Sequence, residues 1–287
     1  MTTLSPETEA AERTKSVSTY RQSHVIADSI TMLRRNLLHM IRYPGLSMFT
    51  ILGPVVILLL FVFVFGGTLG AGLPGVDPAG GREAYLAYVM PGILLITVAG
   101  SASGAAITVS MDMTEGITAR FRTMAISRAA VLAGHVLGNT IQGIIAVVLV
   151  LGVGLLVGFR PSAGPLEWVA AGGLLVLIAF AVNWLGVAMG MQAKSVETAS
   201  NLPLILTVLP MLGSGFVPTA SLPVGLEWFA QNQPFTPFIE AVRSLLLGTT
   251  PLEMNLWLAI GWAVVIAVGG YIWSMVNYER KSVVSAH

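Results

Sequence analysis

Residues 129–159 read AAVLAGHVLGNTIQGIIAVVLVLGVGLLVGF, with no Asp, Glu, Lys or Arg. A helix needs roughly 20 mostly apolar residues to cross a hydrocarbon core, where every backbone N–H and C=O has to be satisfied within the segment itself. This stretch exceeds that length. Tyr43–Val76, Ala84–Met111, Trp168–Ala193, Thr198–Leu226 and Met254–Tyr278 are likewise free of charge. We read an all-α integral membrane protein with six transmembrane helices, spans 1 to 6 in chain order.

Composition agrees. Hydrophobic residues make up 55% of the chain and charged residues 10%, whereas soluble domains carry about 25% charge. Six spans with short connections use nearly all of the 287 residues, so no separate globular enzyme domain is expected. A net charge of +1 argues against nucleic acid as a partner. The absence of cysteine excludes disulfides, thiolate metal sites and cysteine nucleophiles. The polar first 40 residues do not resemble a cleaved secretory signal. Orientation follows from the cations. With both termini in the cytoplasm, twelve of the 15 Lys and Arg residues fall on inside segments, leaving only Arg82, Arg160 and Arg243 outside.

Residues 1–22 read as a polar tail. In 23–43, Ile26, Ile30, Leu33, Leu37 and Ile41 recur at helical spacing, with Asp28, Arg34, Arg35, His39 and Arg42 elsewhere on the wheel. This predicts an amphipathic helix in the cytoplasmic headgroup layer; a soluble helix packed on a partner would carry the same pattern. Pro44-Gly45 turns the chain into a six-helix membrane region, 44–278, followed by a cytoplasmic tail, 279–287. Span 2 contains Pro91-Gly92 and the small-residue run 100–106, and Gly134/Gly138, Gly154/Gly158 and Gly186/Gly190 repeat the small-xxx-small pattern of close helix packing. After span 5, Gly213-Ser214-Gly215-Phe216-Val217-Pro218 breaks the helix. Two short amphipathic pieces follow, around Leu222–Gln231 and Pro237–Leu247, predicted to re-enter or lie along the outer leaflet. Glu240 and Arg243 can pair there at helical spacing, and Trp228, Phe229, Phe235 and Phe238 suit an interface.

Catalytic chemistry is not legible. None of the three lysines follows a glycine, so no P-loop can be written, and no HExxH or Gly-x-Ser-x-Gly pattern occurs. No catalytic residue, metal ligand or cofactor site is therefore assigned. Uphill transport would need energy from another chain or from an ion gradient. Ion coupling leaves ionisable groups inside the membrane, and the six charge-free stretches offer only His135. With Asn139 and Gln142 it forms a polar stripe on span 3, readable as a substrate or proton contact or as ordinary interhelical hydrogen bonding.

Between spans 2 and 3, residues 112–127 are dense in charge and set one aromatic among arginines, Arg120-Phe121-Arg122, with Glu115-Gly116 just before. A solvated loop enforcing topology would carry the arginines. A short helix seated in a partner's groove would use Phe121 as anchor, with the charges fixing register.

Glu115-Gly116, Arg120-Phe121-Arg122, Ile126-Ser127-Arg128 and Ala130-Val131-Leu132-Ala133-Gly134 resemble the permease subunits of bacterial ABC exporters of the second type, in the branch of daunorubicin-resistance-like permeases. Met90-Pro91-Gly92-Ile93-Leu94, Gly158-Phe159-Arg160, Gly215-Phe216-Val217-Pro218, Gln233-Pro234-Phe235-Thr236-Pro237, Glu240-Ala241-Val242-Arg243 and Leu245-Leu246-Leu247-Gly248 extend the likeness over about 30–275. Two positions depart from the family pattern: Ala125 stands where a proline is usual, and Gln233-Pro234 where Asn-Pro is usual.

The resemblance implies a dimeric membrane domain, formed with a second copy or a sister permease. Two copies of a separate ABC ATPase would bind ATP and Mg. Glu115, Arg120, Phe121 and Arg122 would belong to the coupling helix, and the helix before Pro44 would be a lateral elbow. It also implies a path between protomers lined by spans 1, 2 and 5, here apolar and interrupted by Pro54, Pro91, Pro203 and Pro210. Such a path suits export of a hydrophobic or amphiphilic drug, natural product or lipid across a bacterial plasma membrane. The rivals are a glycan exporter of the same architecture, a proton-coupled carrier and a membrane scaffold.

Overall fold

The computed structural model describes residues 34, 44–71, 81–114, 128–249 and 251–284, and among these the chain is helical with no strand. Helix α1 (Pro44–Leu60) continues through a π-helical turn, Phe61–Phe65, into α2 (Gly66–Ala71). There follow α3 (Gly81–Thr114), α4 (Arg128–Val157), α5 (Pro165–Gln192), α6 (Val196–Asn201) and α7 (Leu204–Leu212). The set closes with α8 (Val224–Asn232), α9 (Phe235–Leu247) and α10 (Leu252–Val284).

Helices α3 and α5 form the centre. Their contact needs small residues, because without water between helices association depends on close van der Waals approach and hydrogen bonds. A Cβ added at Gly186 would collide with the carbonyl oxygen of Ala102, and one at Gly190 with that of Ala106. Thus the small-residue run of span 2 and the Gly186/Gly190 pair are two halves of one seam. On its other side α5 meets α10. The rings of Trp184 and Tyr271 make an edge contact at 5.1 Å, Ser274 donates to Trp184 O at 3.4 Å, and Gly270 has no room for a side chain. Helix α10 is inside-out by soluble standards: Ala259, Ala263 and Ser274 face inward, whereas Trp257, Val265, Val268 and Ile272 are exposed. That arrangement suits a helix solvated by lipid tails, where large apolar groups gain nothing by hiding from their surroundings.

Helix ends are built from local chemistry. Gly158, at φ +119°, terminates α4, with Phe159 N–H donating back to Gly154 O at 2.8 Å, and Arg160 donates to Leu155 O at 3.0 Å. Pro165 opens α5, whose Glu167 accepts from Gly164 N–H.

Five helical stretches are long and apolar enough to cross a membrane: Leu52–Ala71, Gly81–Thr114, Ala129–Val157, Pro165–Gln192 and Leu252–Tyr278. The expected span 5 differs. It is a shorter apolar helical stretch, Val196–Leu212, turned at Leu202-Pro203 and ending before Gly213 instead of running to Leu226. At about 1.5 Å per residue it reaches roughly 25 Å, short of a 30 Å hydrocarbon core. Pro203 and Pro210 remove backbone donors, and the glycines at 213 and 215 end the helix.

The two short pieces expected after the break are α8 and α9. Trp228 and Phe229 are exposed, as an interfacial position requires. Phe235 and Phe238 are not: both are fully buried, in edge contact at 5.7 Å. The amphipathic pattern of α9 therefore faces the bundle, where α3, α5 and α10 cover it. At the end of span 2, α3 continues to Thr114, so Asp112 and its neighbours extend the helix instead of opening the connecting segment. Likewise α10 runs to Val284, past the expected boundary at 278. The tail 1–22, the amphipathic helix of 23–43 apart from Arg34, and the coupling residues Glu115, Arg120, Phe121 and Arg122 lie outside the described residues.

Candidate functional site

Among the described residues, polar clusters sit inside this apolar bundle at opposite ends of α3. One surrounds span 3. His135 Nε2 lies 3.2 Å from Asp112 Oδ2, so the end of α3 and the start of α4 are joined by a buried ion-pair geometry. One turn on, Asn139 donates to His135 O at 2.9 Å and to Thr108 Oγ1 at 3.3 Å. The side chain of Asn139 occupies the space over Gly104, where a Cβ would meet its Oδ1 at 2.8 Å. Deeper in, Asn183 of α5 donates to Thr140 Oγ1 at 3.2 Å and accepts from Ser101 Oγ at 3.3 Å, tying three helices together.

The predicted stripe is thus partly assembled. His135 and Asn139 share contacts with α3, whereas Gln142 is buried but joins none of these hydrogen bonds. Asp112 was missed because it stands one residue beyond the charge-free run, where it reads as part of the connecting segment. Extending the helix by one turn would have placed it beside span 3.

The second cluster is built on broken backbone. Pro91 removes one hydrogen bond from α3, and Gly92 beside it admits the backbone of a distant segment: a Cβ there would lie 2.7 Å from both Cα and O of Gly215. Over this contact lies Arg243 of α9, only 5% exposed. Its guanidinium donates to Tyr88 O at 3.1 Å and to Ser214 O at 2.8 Å, pairs with Glu240, and sits 4.3 Å from the centre of the Tyr88 ring. Gln233 donates to Leu209 O at 2.9 Å. The C-terminal end of α7 carries carbonyls with no helical partner and a partial negative charge, and a cation with a neutral amide meets that need. Phe216 then packs on Phe61 of the π turn at 4.6 Å, linking the break to α1.

Three stretches that are far apart in sequence therefore converge here: Pro91-Gly92, Gly213–Phe216 and Glu240–Arg243. Residues 28–247 match the ABC-2 type transporter family. The chain belongs to that family. It is 28% identical over 225 residues to the daunorubicin resistance ABC transporter permease protein DrrB1 of Streptomyces coeruleorubidus, covering 78% of this chain and 76% of that protein. It is also 24% identical over 236 residues to the probable doxorubicin resistance ABC transporter permease protein DrrC of Mycobacterium tuberculosis, covering 81% and 83%.

This ABC-2 permease is an integral membrane protein and the transmembrane subunit of an ABC transporter. Hydrolysis of ATP belongs to a separate ATPase subunit, and family membership carries with it pairing with that ATPase and with another permease. Arg243 does not present a free cation to a ligand, because Nη1 pairs with Glu240 and Nη2 donates to two carbonyls.

Proposed function

We propose that this chain is the permease of an ATP-driven exporter for a hydrophobic or amphiphilic compound of drug, natural-product or lipid type. It works as a dimer with itself or a sister permease, bound to two copies of an ABC ATPase, in a bacterial plasma membrane with both termini cytoplasmic. The observation that carries the reading is the likeness to two resistance permeases over roughly three quarters or more of each chain. The surface supports it. Leu52, Val56, Leu60 and Phe63 of the first helical stretch, and Leu204, Ile205, Val208 and Met211 of α7, are exposed and apolar, as a greasy passage between protomers would be. Residues 115–127 follow directly from α3, so force received there reaches the Asp112–His135 end of the bundle first.

The test is uptake of a hydrophobic fluorescent dye into inside-out vesicles carrying the permease and its ATPase. Accumulation is expected with ATP and not without the ATPase. Phe121→Ala is expected to weaken ATPase association by ~2 kcal/mol, read by co-purification, as for a central aromatic anchor. The buried His135–Asp112 pair favours one other reading, a proton-coupled carrier. Uptake that collapses with an uncoupler while ATP is held would select that reading.

A further inference from the structure

We infer that Arg243 is a positioning residue acting as a latch: it holds the helix break at 213–215 closed against the Pro91-Gly92 step of α3 at rest, and its release frees α7 during the transport cycle. The inference rests on the exporter reading for its link to ATP and on the geometry for the latch itself.

Among the described residues, Arg243 is the one side chain that donates to both Tyr88 O on α3 and Ser214 O after α7, while its own helix anchors it through Glu240. Removing it would leave Gly92 and Gly215 in contact with no directional bond across them. A static bolt in a membrane interior would be fully satisfied, because unpaired polar atoms are costly where water is excluded. This cluster is not. Arg243 Nε, Ser214 Oγ and Gln233 Oε1 have no hydrogen-bond partner among the described residues, although each residue is only 5% exposed. All three flank the same short segment. The cluster therefore keeps donors and acceptors in reserve, and a second arrangement of the break can use them. Partial satisfaction raises the energy of the closed form and narrows its gap from an open one. The inner cluster, in contrast, links α3, α4 and α5 mainly from side chain to side chain.

The chain has no cysteine, so one can be placed without background. Ser214→Cys, in the complete complex with its ATPase in liposomes, is probed with a membrane-impermeant maleimide from the side away from the ATPase. Slow labelling is expected at rest, rising at least tenfold during ATP hydrolysis. Adding Arg243→Lys, whose single ammonium cannot hold Glu240 through one nitrogen of a planar fork and the two carbonyls through the other, is expected to give fast labelling with or without ATP and at least a threefold rise in ATP used per dye exported. Arg243→Gln should do the same, and the lysine variant carries the test if the glutamine variant does not assemble. Ser101→Cys, in the inner cluster, is expected to stay protected in the Arg243→Lys background.

Labelling at 214 that is unchanged by Arg243 substitution overturns the latch. So does equal unmasking of position 101, which would mean general loosening. If the parent complex fails to export with ATP while Arg243→Lys still unmasks position 214, the exporter reading falls and the latch stands.

Discussion

The two ends of α3 are held by different polar chemistry. At the Asp112 end, the helices are continuous and satisfy their own backbones, so the cross-links run mainly between side chains: His135 to Asp112, Asn139 to Thr108, Asn183 to Thr140 and Ser101. At the Tyr88 end, α3 runs on through Pro91, whereas the helix carrying Pro210 stops before Gly213, and the cross-links run from side chain to main chain: Arg243 to Tyr88 O and Ser214 O, Gln233 to Leu209 O. An interhelical bond between intact helices is a modest bonus, because the separated helices find other partners in the membrane. A bond that satisfies broken backbone has no such substitute.

That contrast is easiest to break at its strongest point. Arg243→Ala removes a buried cation that pairs with the half-buried Glu240 and donates to the carbonyls of Tyr88 and Ser214, and should lower unfolding free energy by about 2–3 kcal/mol. Thermal unfolding of the purified protein in detergent measures it; a loss no larger than that of an inner-cluster variant would erase the distinction. Gly92→Val comes next, with a loss of about 1–3 kcal/mol from forcing α3 off Gly215. Its effect should shrink when Arg243 is already substituted, because both act on one contact.

Asn183→Ala should be milder, about 1 kcal/mol, even though it removes the residue that joins α5 to Ser101 and Thr140. A double-mutant cycle between Asp112→Asn and His135→Gln should return a coupling of about 0.6 kcal/mol or less; several-fold more would move the inner cluster into the same class as the outer one. Gln142→Leu should change stability by about 0.5 kcal/mol at most, since Gln142 takes no part in the network around its stripe neighbours. A large loss there would show that the whole stripe acts as a unit.

The inner cluster was half legible in the sequence. His135 and Asn139 stand out because a polar residue in a charge-free run is conspicuous, and helical spacing puts them on one face. Their partners were not legible: Thr108, Ser101 and Thr140 are ordinary in membrane helices, and Asp112 hides at a helix end. For the outer cluster, each stretch could be read alone, including the Glu240–Arg243 spacing. Its depth could not. Arg243 and the Phe235–Phe238 pair lie in the core because α3, α5 and α10 close over α9, and nothing in a thirteen-residue helix reports what covers it.

Charge-free length by itself determined that this protein is a bundle of membrane helices, because hydrocarbon tolerates few other backbones. Pro203, Gly213 and Gly215 marked where the fifth apolar stretch would break, while Pro54 and Pro91 stay inside continuous helices. Which breaks meet was decided only by tertiary packing: Gly92 reaches Gly215 because α3 is buried between its neighbours, and Arg243 spans both because α9 folds inward. Local composition sets what a segment can do alone. Contacts between segments more than 100 residues apart depend on the shape they make together.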